Sequence, residues 1–190
     1  FRRVLCRSRL PAAMEFDHPF AQYVRSLGRG RTLSRALTLD EAEDAMAMIL
    51  RGAVLPEQLG AFLMLLRVKE ETPEEIAGFV RGARATIDPP EPLPAVDLDW
   101  SSYAGKRRQL PWFLLSALVL AHNGVKILMH GTEGHTAGRV YLRDTMEALS
   151  LPVSTSFADA ATAIGQSGFA SLPLELLSPR FRDLRHLRPI

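Results

Sequence analysis

The chain has 190 residues, of which 47% are hydrophobic and 23% charged, with a formal net charge of +2. This is ordinary globular usage, which excludes wholesale disorder. The longest apolar stretches, Ala61–Leu66 and Trp112–Ala121, are too short for a membrane span of about 20 residues. No charged start followed by an apolar run and a small-residue cleavage site is present, so a secretory signal is not read and a cytoplasmic location is expected.

Phe1–Ala13 carries Arg2, Arg3, Arg7 and Arg9, no acid, and neither a helical nor a strand period. It is set apart as non-native or disordered, and the fold is read from Met14 onward. Without those four arginines the formal charge of +2 becomes −2, so the basic balance is no argument for a nucleic-acid partner. The single cysteine, Cys6, lies in the same segment. No disulfide framework or cysteine metal site is left, as a reducing compartment would have it.

Residues 14–87 read as a helical domain. Asp17–Leu27 is a short amphipathic helix, closed by Gly28-Arg29-Gly30. Thr38-Leu39-Asp40-Glu41 matches a capping box, and Ala42, Ala45, Met46, Ile49 and Leu50 follow at helical spacing up to Gly52. Asp40, Glu41, Glu43 and Asp44 read as a solvated first turn that favours the helix dipole. Pro56 opens a third helix with Leu59, Phe62, Leu63 and Leu66 on one face. Thr72-Pro73-Glu74-Glu75 is a second capping box, and its helix carries Ile76, Phe79 and Val80 towards Arg84. Met46, Met48 and Met64 read as bundle contacts. Four short helices with tight connections make a small bundle.

Residues 88–95, with four prolines in Asp88–Pro94, cannot continue a helix and form a semi-rigid hinge. From 96 to 190 strands and helices alternate. Val96–Trp100 is a strand, Leu110–His122 an almost wholly apolar helix that should be buried on most sides, and Val125–Met129 a second strand. Tyr141–Leu149 and Phe157–Ile164 are helices, the latter capped by Ser156; Phe169–Leu172 is a third strand, and Ser178-Pro179 starts a basic helix. The expected class is α/β: a helical bundle module, then the first part of a parallel α/β domain with helices on both faces. Three strands are few for such a sheet, and the domain is read as incomplete at Ile190.

Ligands of open α/β sheets bind at the carboxyl ends of strands. Two loops hold those places. Ser101–Gln109 brings Lys106, Arg107 and Arg108 to the start of a helix, where cations and free amides attract a phosphate; the plainer reading is a solvated charged loop. His130–Arg139 has Gly131, Gly134 and Gly138, which allow a ligand close approach. His130, Glu133 and His135 lack clear ligand spacing, so no metal site is read, and His130 is expected to be a strand-end residue bonded to its neighbours. Arg180, Arg182 and Arg185 follow on the last helix, with Phe181, Leu184 and Leu187 on one face. They read either as an amphipathic surface helix or as a phosphate-touching one. No G-x-S-x-G elbow, P-loop or G-x-G-x-x-G occurs.

The stretches Leu39–Gly52, Gln58–Lys69 and Thr72–Phe79, with Gly124–Gly131, resemble glycosyltransferase family 3, the anthranilate and pyrimidine-nucleoside phosphoribosyltransferases. The resemblance runs from Leu37 to Ile190. It implies a helical domain that dimerises, an α/β domain that holds a ribosyl donor, and magnesium. The pattern departs from that family where the donor would sit. Gly-Thr-Gly-Gly-Asp is answered by Ser102-Tyr103-Ala104-Gly105-Lys106. Asn-x-Ser-Thr is answered by Leu110-Pro111-Trp112-Phe113. Lys-His-Gly-Asn is answered by Met129-His130-Gly131-Thr132.

Ser102-Tyr103-x-Gly105-x-Arg107-x-Gln109 with His130-Gly131 resembles the YbiB-type branch of the family, which implies a homodimer that binds nucleic acid without marked sequence preference. The expected function is therefore a phosphoribosyltransferase-like protein with a degenerate donor site. Ser102, Tyr103, Gly105, His130, Gly131 and Thr132 would form that site, and Lys106, Arg107, Arg108, Arg139, Arg180, Arg182 and Arg185 would meet single-stranded DNA or RNA. No catalytic residue, metal or cofactor is assigned. The alternative is an active phosphoribosyl or glycosyltransferase with altered donor or acceptor, using magnesium.

Overall fold

The computed structural model describes residues 18–30, 32–88, 95–102, 105, 107–131 and 138–186, the side chains of 185 and 186 excepted. Residues 1–17, Tyr103, Lys106, Thr132, Glu133, His135, Leu187 and the side chain of Arg185, on which some of the expectations above fall, lie outside the described residues.

The helical module contains α1 (Ala21–Gly28), α2 (Leu39–Leu50), α3 (Pro56–Lys69) and α4 (Pro73–Arg84). Both expected capping boxes form. Thr38 Oγ1 accepts from the Glu41 amide while Glu41 accepts from the Thr38 amide, and Thr72 and Glu75 repeat the exchange. Pro56 and Pro73 stand in the first turns of their helices, and Gly52 takes φ +71°, the left-handed conformation of a helix-ending glycine. The core gathers Phe20, Tyr23, Leu27, Leu37, Ile49, Phe62 and Leu66, with Phe20 and Phe62 edge-to-face at 5.1 Å.

Glu75 does more than cap its helix. It is fully buried, and its carboxylate accepts from Lys69 Nζ (2.6 Å), the Thr72 amide (2.8 Å) and the Leu37 amide (2.8 Å). Burial by itself raises the carboxyl pKa, but Lys69 and the two amides more than offset it, so Glu75 titrates below its ordinary value.

The buried face of α4 is made by Glu75, Gly78 and Gly82. Ile76 and Val80 are about half exposed, and the helix instead presents Gly78 and Gly82 to α2. A Cβ on Gly78 would collide with the Leu39 carbonyl oxygen and lie 2.7 Å from Ala42 Cβ; on Gly82 it would collide with the Glu43 carbonyl oxygen. With no Cβ at these two positions the backbones of α2 and α4 approach closely, leaving no void between them. On α3 likewise Phe62 and Leu66 are buried, while Leu63 and Met64 face outward. The acidic first turn of α2 is partly paired: Arg35 makes a two-pronged bond to Glu41 at 2.6 Å, and Tyr23 Oη donates to Asp44. The Arg35 bond is the main reason that Glu41 is lowered to about 2.

The α/β part contains β1 (Leu98–Ser101), α5 (Phe113–His122), β2 (Ile127–Gly131), α6 (Leu142–Ala148), α7 (Phe157–Ser167), β3 (Phe169–Pro173), α8 (Leu174–Leu177) and α9 (Pro179–His186). The strands are parallel in the order β1-β2-β3, with Leu98 opposite Ile127 and Ile127 opposite Phe169. Side chains alternate across the sheet. Ile127 and Met129 join Leu114, Ala117 and Met146 on the α5 and α6 side. Leu128 joins Phe157, Ala160 and Ile164 on the α7 side. Helices therefore cover both faces, as expected of this class.

A further expectation needs correction. Helix α5 is not buried on most sides: Leu115, Val119 and Leu120 are exposed, because only the stripe of Leu114, Ala117 and Ala121 reaches the sheet. The short α8 follows directly on β3, and it turns the chain so that α9 returns to the helical module, where Leu184 packs on its core. Among the described residues no helix is long and apolar enough to cross a membrane.

Candidate functional site

The carboxyl ends of β1 and β2 meet through backbone contacts. The Ser102 amide donates to the His130 carbonyl at 2.6 Å, and Gly131 lies so close to the Ser102 side chain that a Cβ there would sit 3.1 Å from Ser102 Cβ. Further out, Gly105 is buried against the Val140 carbonyl, and Arg139 Nη1 donates to the Gly105 carbonyl at 3.2 Å. Arg139 Nε is buried and has no partner among the described residues. Of the residues singled out from sequence, Ser102, Gly105, His130, Gly131 and Arg139 are thus brought together. Both glycines serve close packing between loops, which only glycine permits.

Beside this junction lies a cavity of about 420 Å3. Gly105, Val140 and Leu142 line one part of it, and Gln109, Leu110, Pro111, Trp112 and Phe113 the other. Among the described residues of that lining, Gln109 and the indole N–H of Trp112 are the polar side-chain groups, and there is no carboxylate. Arg107 and Arg108 are exposed at the approach to α5 and have no ion-pair partner among the described residues.

His130 turns to the other face of the sheet. Its Nε2 lies 2.8 Å from Asp99 Oδ1, and Asp99 Oδ2 takes Arg84 Nη2 at 2.5 Å. His130 is therefore the strand-end hydrogen-bonding residue that the sequence suggested. Its Nδ1 is buried and has no partner among the described residues. A second cavity, of about 380 Å3, opens here between α4 and the sheet, walled by Val80, Ala83, Arg84, Leu128, His130 and Phe181. Asp99 and Arg84 were not foreseen as partners of His130. The alternation of Asp97, Leu98, Asp99 and Trp100 was the available signal, since it sets Asp99 on the face opposite Trp100.

The arginines of α9 stand apart from the first cavity. Arg180 lies over Gly52 at the turn between α2 and α3 and reaches Asp183 at 3.3 Å, while Arg182 is exposed. No group of three or more His, Cys, Asp or Glu among the described residues is arranged to hold a metal ion, so no step through magnesium is derived.

Comparison with known proteins fits this architecture. Residues 21–87 match the glycosyl transferase family helical bundle domain. The anthranilate phosphoribosyltransferase of Brevibacillus brevis is 36% identical over 133 residues, 70% of this chain and 39% of that protein. The enzyme of the same name from Thermomicrobium roseum is 31% identical over 160 residues, 81% of this chain and 44% of that protein. The crystal structure of anthranilate phosphoribosyltransferase from Thermus thermophilus superposes with a TM-score of 0.69 at 25% identity, covering 87% of this chain and 51% of that one. The chain spans less than half the length of these two sequence relatives. It is a phosphoribosyltransferase-like relative of the anthranilate phosphoribosyltransferases, with the helical bundle domain of glycosyl transferase family 3 over residues 21–87.

Proposed function

We propose that this chain belongs to the YbiB-type branch of its family. In this reading it binds single-stranded nucleic acid at the carboxyl edge of its sheet, as a cytoplasmic homodimer joined through the helical module. The observation that carries the reading is the lining of the 420 Å3 cavity, where the family would hold a pyrophosphate. A pyrophosphate cradle needs backbone amides brought close by small residues, or cations and hydroxyls aimed inward. Among the described residues the lining instead offers Leu110, Pro111, Trp112, Phe113, Val140 and Leu142, with Gln109 its one amide side chain. The cations, Arg107 and Arg108, stand outside the cavity in solvent, where they suit an extended phosphate backbone better than a buried diphosphate.

The test is fluorescence anisotropy with a labelled single-stranded oligonucleotide at low and near-physiological salt, beside a variant with Lys106, Arg107 and Arg108 all changed to Ala. The expected result is binding that weakens as salt rises, with a shallower salt slope in the variant. Binding that ignores both salt and the variant would overturn the reading.

A second reading is favoured by the activity for which the relatives are named and by the Asp99–His130 pair beside the 380 Å3 cavity. In it the protein transfers a phosphoribosyl or glycosyl group with altered donor or acceptor. Release of pyrophosphate from a ribosyl donor, with magnesium supplied, would establish it.

A further inference from the structure

We infer that Trp112 is a stacking platform for one unpaired nucleobase, which enters the 420 Å3 cavity beside it. This rests on the nucleic-acid reading of the same sheet edge. Trp112 is 63% exposed, far more than a tryptophan is ordinarily left. Its exposure does not come from a loose segment. Its own backbone is the N-cap of α5, between buried Pro111 and fully buried Leu114, and the next ring, Phe113, packs on Trp100 at 6.2 Å. The indole is thus held out by a rigid frame. The cavity is within the range of small-ligand pockets, about 300–1,000 Å3. Its apolar walls suit the face of a base, and Gln109 can meet a base edge as donor or acceptor without dictating which base.

Arg107 and Arg108 precede this platform by five and four positions, on the strand-end approach to α5. Cations for the backbone beside an aromatic face for the bases are the working parts of sequence-tolerant single-strand sites. A basic patch alone would take a duplex as readily. A duplex keeps its bases stacked on one another, so Trp112 confers preference for single strands.

The test uses the full chain with Trp112→Ala and Trp112→Phe, against a labelled single-stranded oligonucleotide, an abasic backbone of the same length and a duplex. Trp112→Ala should lose about tenfold to a hundredfold in affinity for the single strand, with an unchanged salt slope and little loss on the abasic backbone, while Trp112→Phe keeps most of the affinity. Wild type should favour the single strand over the duplex, and the oligonucleotide should shield Trp112 from an ionic fluorescence quencher. Salt-sensitive binding that Trp112→Ala leaves untouched, or equal losses on normal and abasic strands, would overturn the platform and leave the basic-loop reading standing. Trp112 already shielded before the oligonucleotide is added would mean a protein surface covers it, and would overturn the platform too. Absence of wild-type binding at low salt would remove both.

Discussion

His130 at the end of β2 and Asp99 in β1 share a 2.8 Å hydrogen bond across the sheet, and Asp99 passes the contact on to Arg84 of α4. Two carboxylate oxygens therefore join a strand end beside the candidate site to the helical module. The Arg84–Asp99 pair is largely solvated, so Asp99→Asn should cost under about 1 kcal/mol. Asp99→Leu would leave His130 without its hydrogen-bond acceptor and should cost about 1–3 kcal/mol. Thermal unfolding of the two variants checks the order. Equal stability of Asp99→Leu and wild type would contradict the linking role.

Glu75 should be the most sensitive polar position of the helical module. Glu75→Ala strands Lys69 and two backbone amides that now share one buried carboxylate. Breaking a buried pair in this way typically costs about 3–5 kcal/mol. Urea unfolding should show the midpoint falling accordingly, and a change under about 1 kcal/mol would contradict the account.

Acid should unfold the module through two carboxylates. Glu41, lowered to about 2, and Glu75, also lowered, are held ionised by the fold. A group with a depressed folded pKa contributes stability above its unfolded value, and that contribution is lost as pH falls through the folded value. Stability should therefore be level down to about pH 4.5, the ordinary carboxyl value, and decline towards pH 2. Glu75→Gln should flatten part of that decline. Glu41 should matter less, since its pair with Arg35 is open to solvent. Unfolding free energy measured against pH in Glu75→Gln and Glu41→Gln reads this directly.

Gly78→Ala and Gly82→Ala should destabilise the protein, although alanine is the better helix former by about 1 kcal/mol. The new methyl groups would strike the backbone of α2, at Leu39 and Glu43, and overpacking of this kind costs about 1–3 kcal/mol. Gly60→Ala, where a Cβ meets nothing within 4 Å, is the control and should be neutral or stabilising. Denaturant midpoints for the three variants settle the comparison.

The elements whose signals are local were legible in the sequence. Thr38, Thr72 and Ser156 announce their helices because a cap is a contact over three residues, and all three hydroxyls accept as expected. Gly52 marks a helix end for the same reason. Facing was less legible. In α4 the interface uses Gly78 and Gly82, whose value appears only when α2 is set against them. The apolar run of α5 gave no period by which to tell its sheet-facing stripe from Leu115 and Val119. At the site, Gly105 and Gly131 read as donor-site residues and Arg139 as a nucleic-acid contact, yet each is also a stitch between loops, a relation that links residues far apart in the chain.

The central claim is that the sheet edge takes an extended nucleic-acid backbone in place of a ribosyl donor. The most direct measurement is the anisotropy of a labelled single-stranded oligonucleotide bound to the full chain at low salt, titrated with unlabelled phosphoribosyl pyrophosphate and magnesium. The account predicts binding that the donor reduces no more than an equal ionic strength of simple salt does. No oligonucleotide binding, or displacement by micromolar donor, would contradict it.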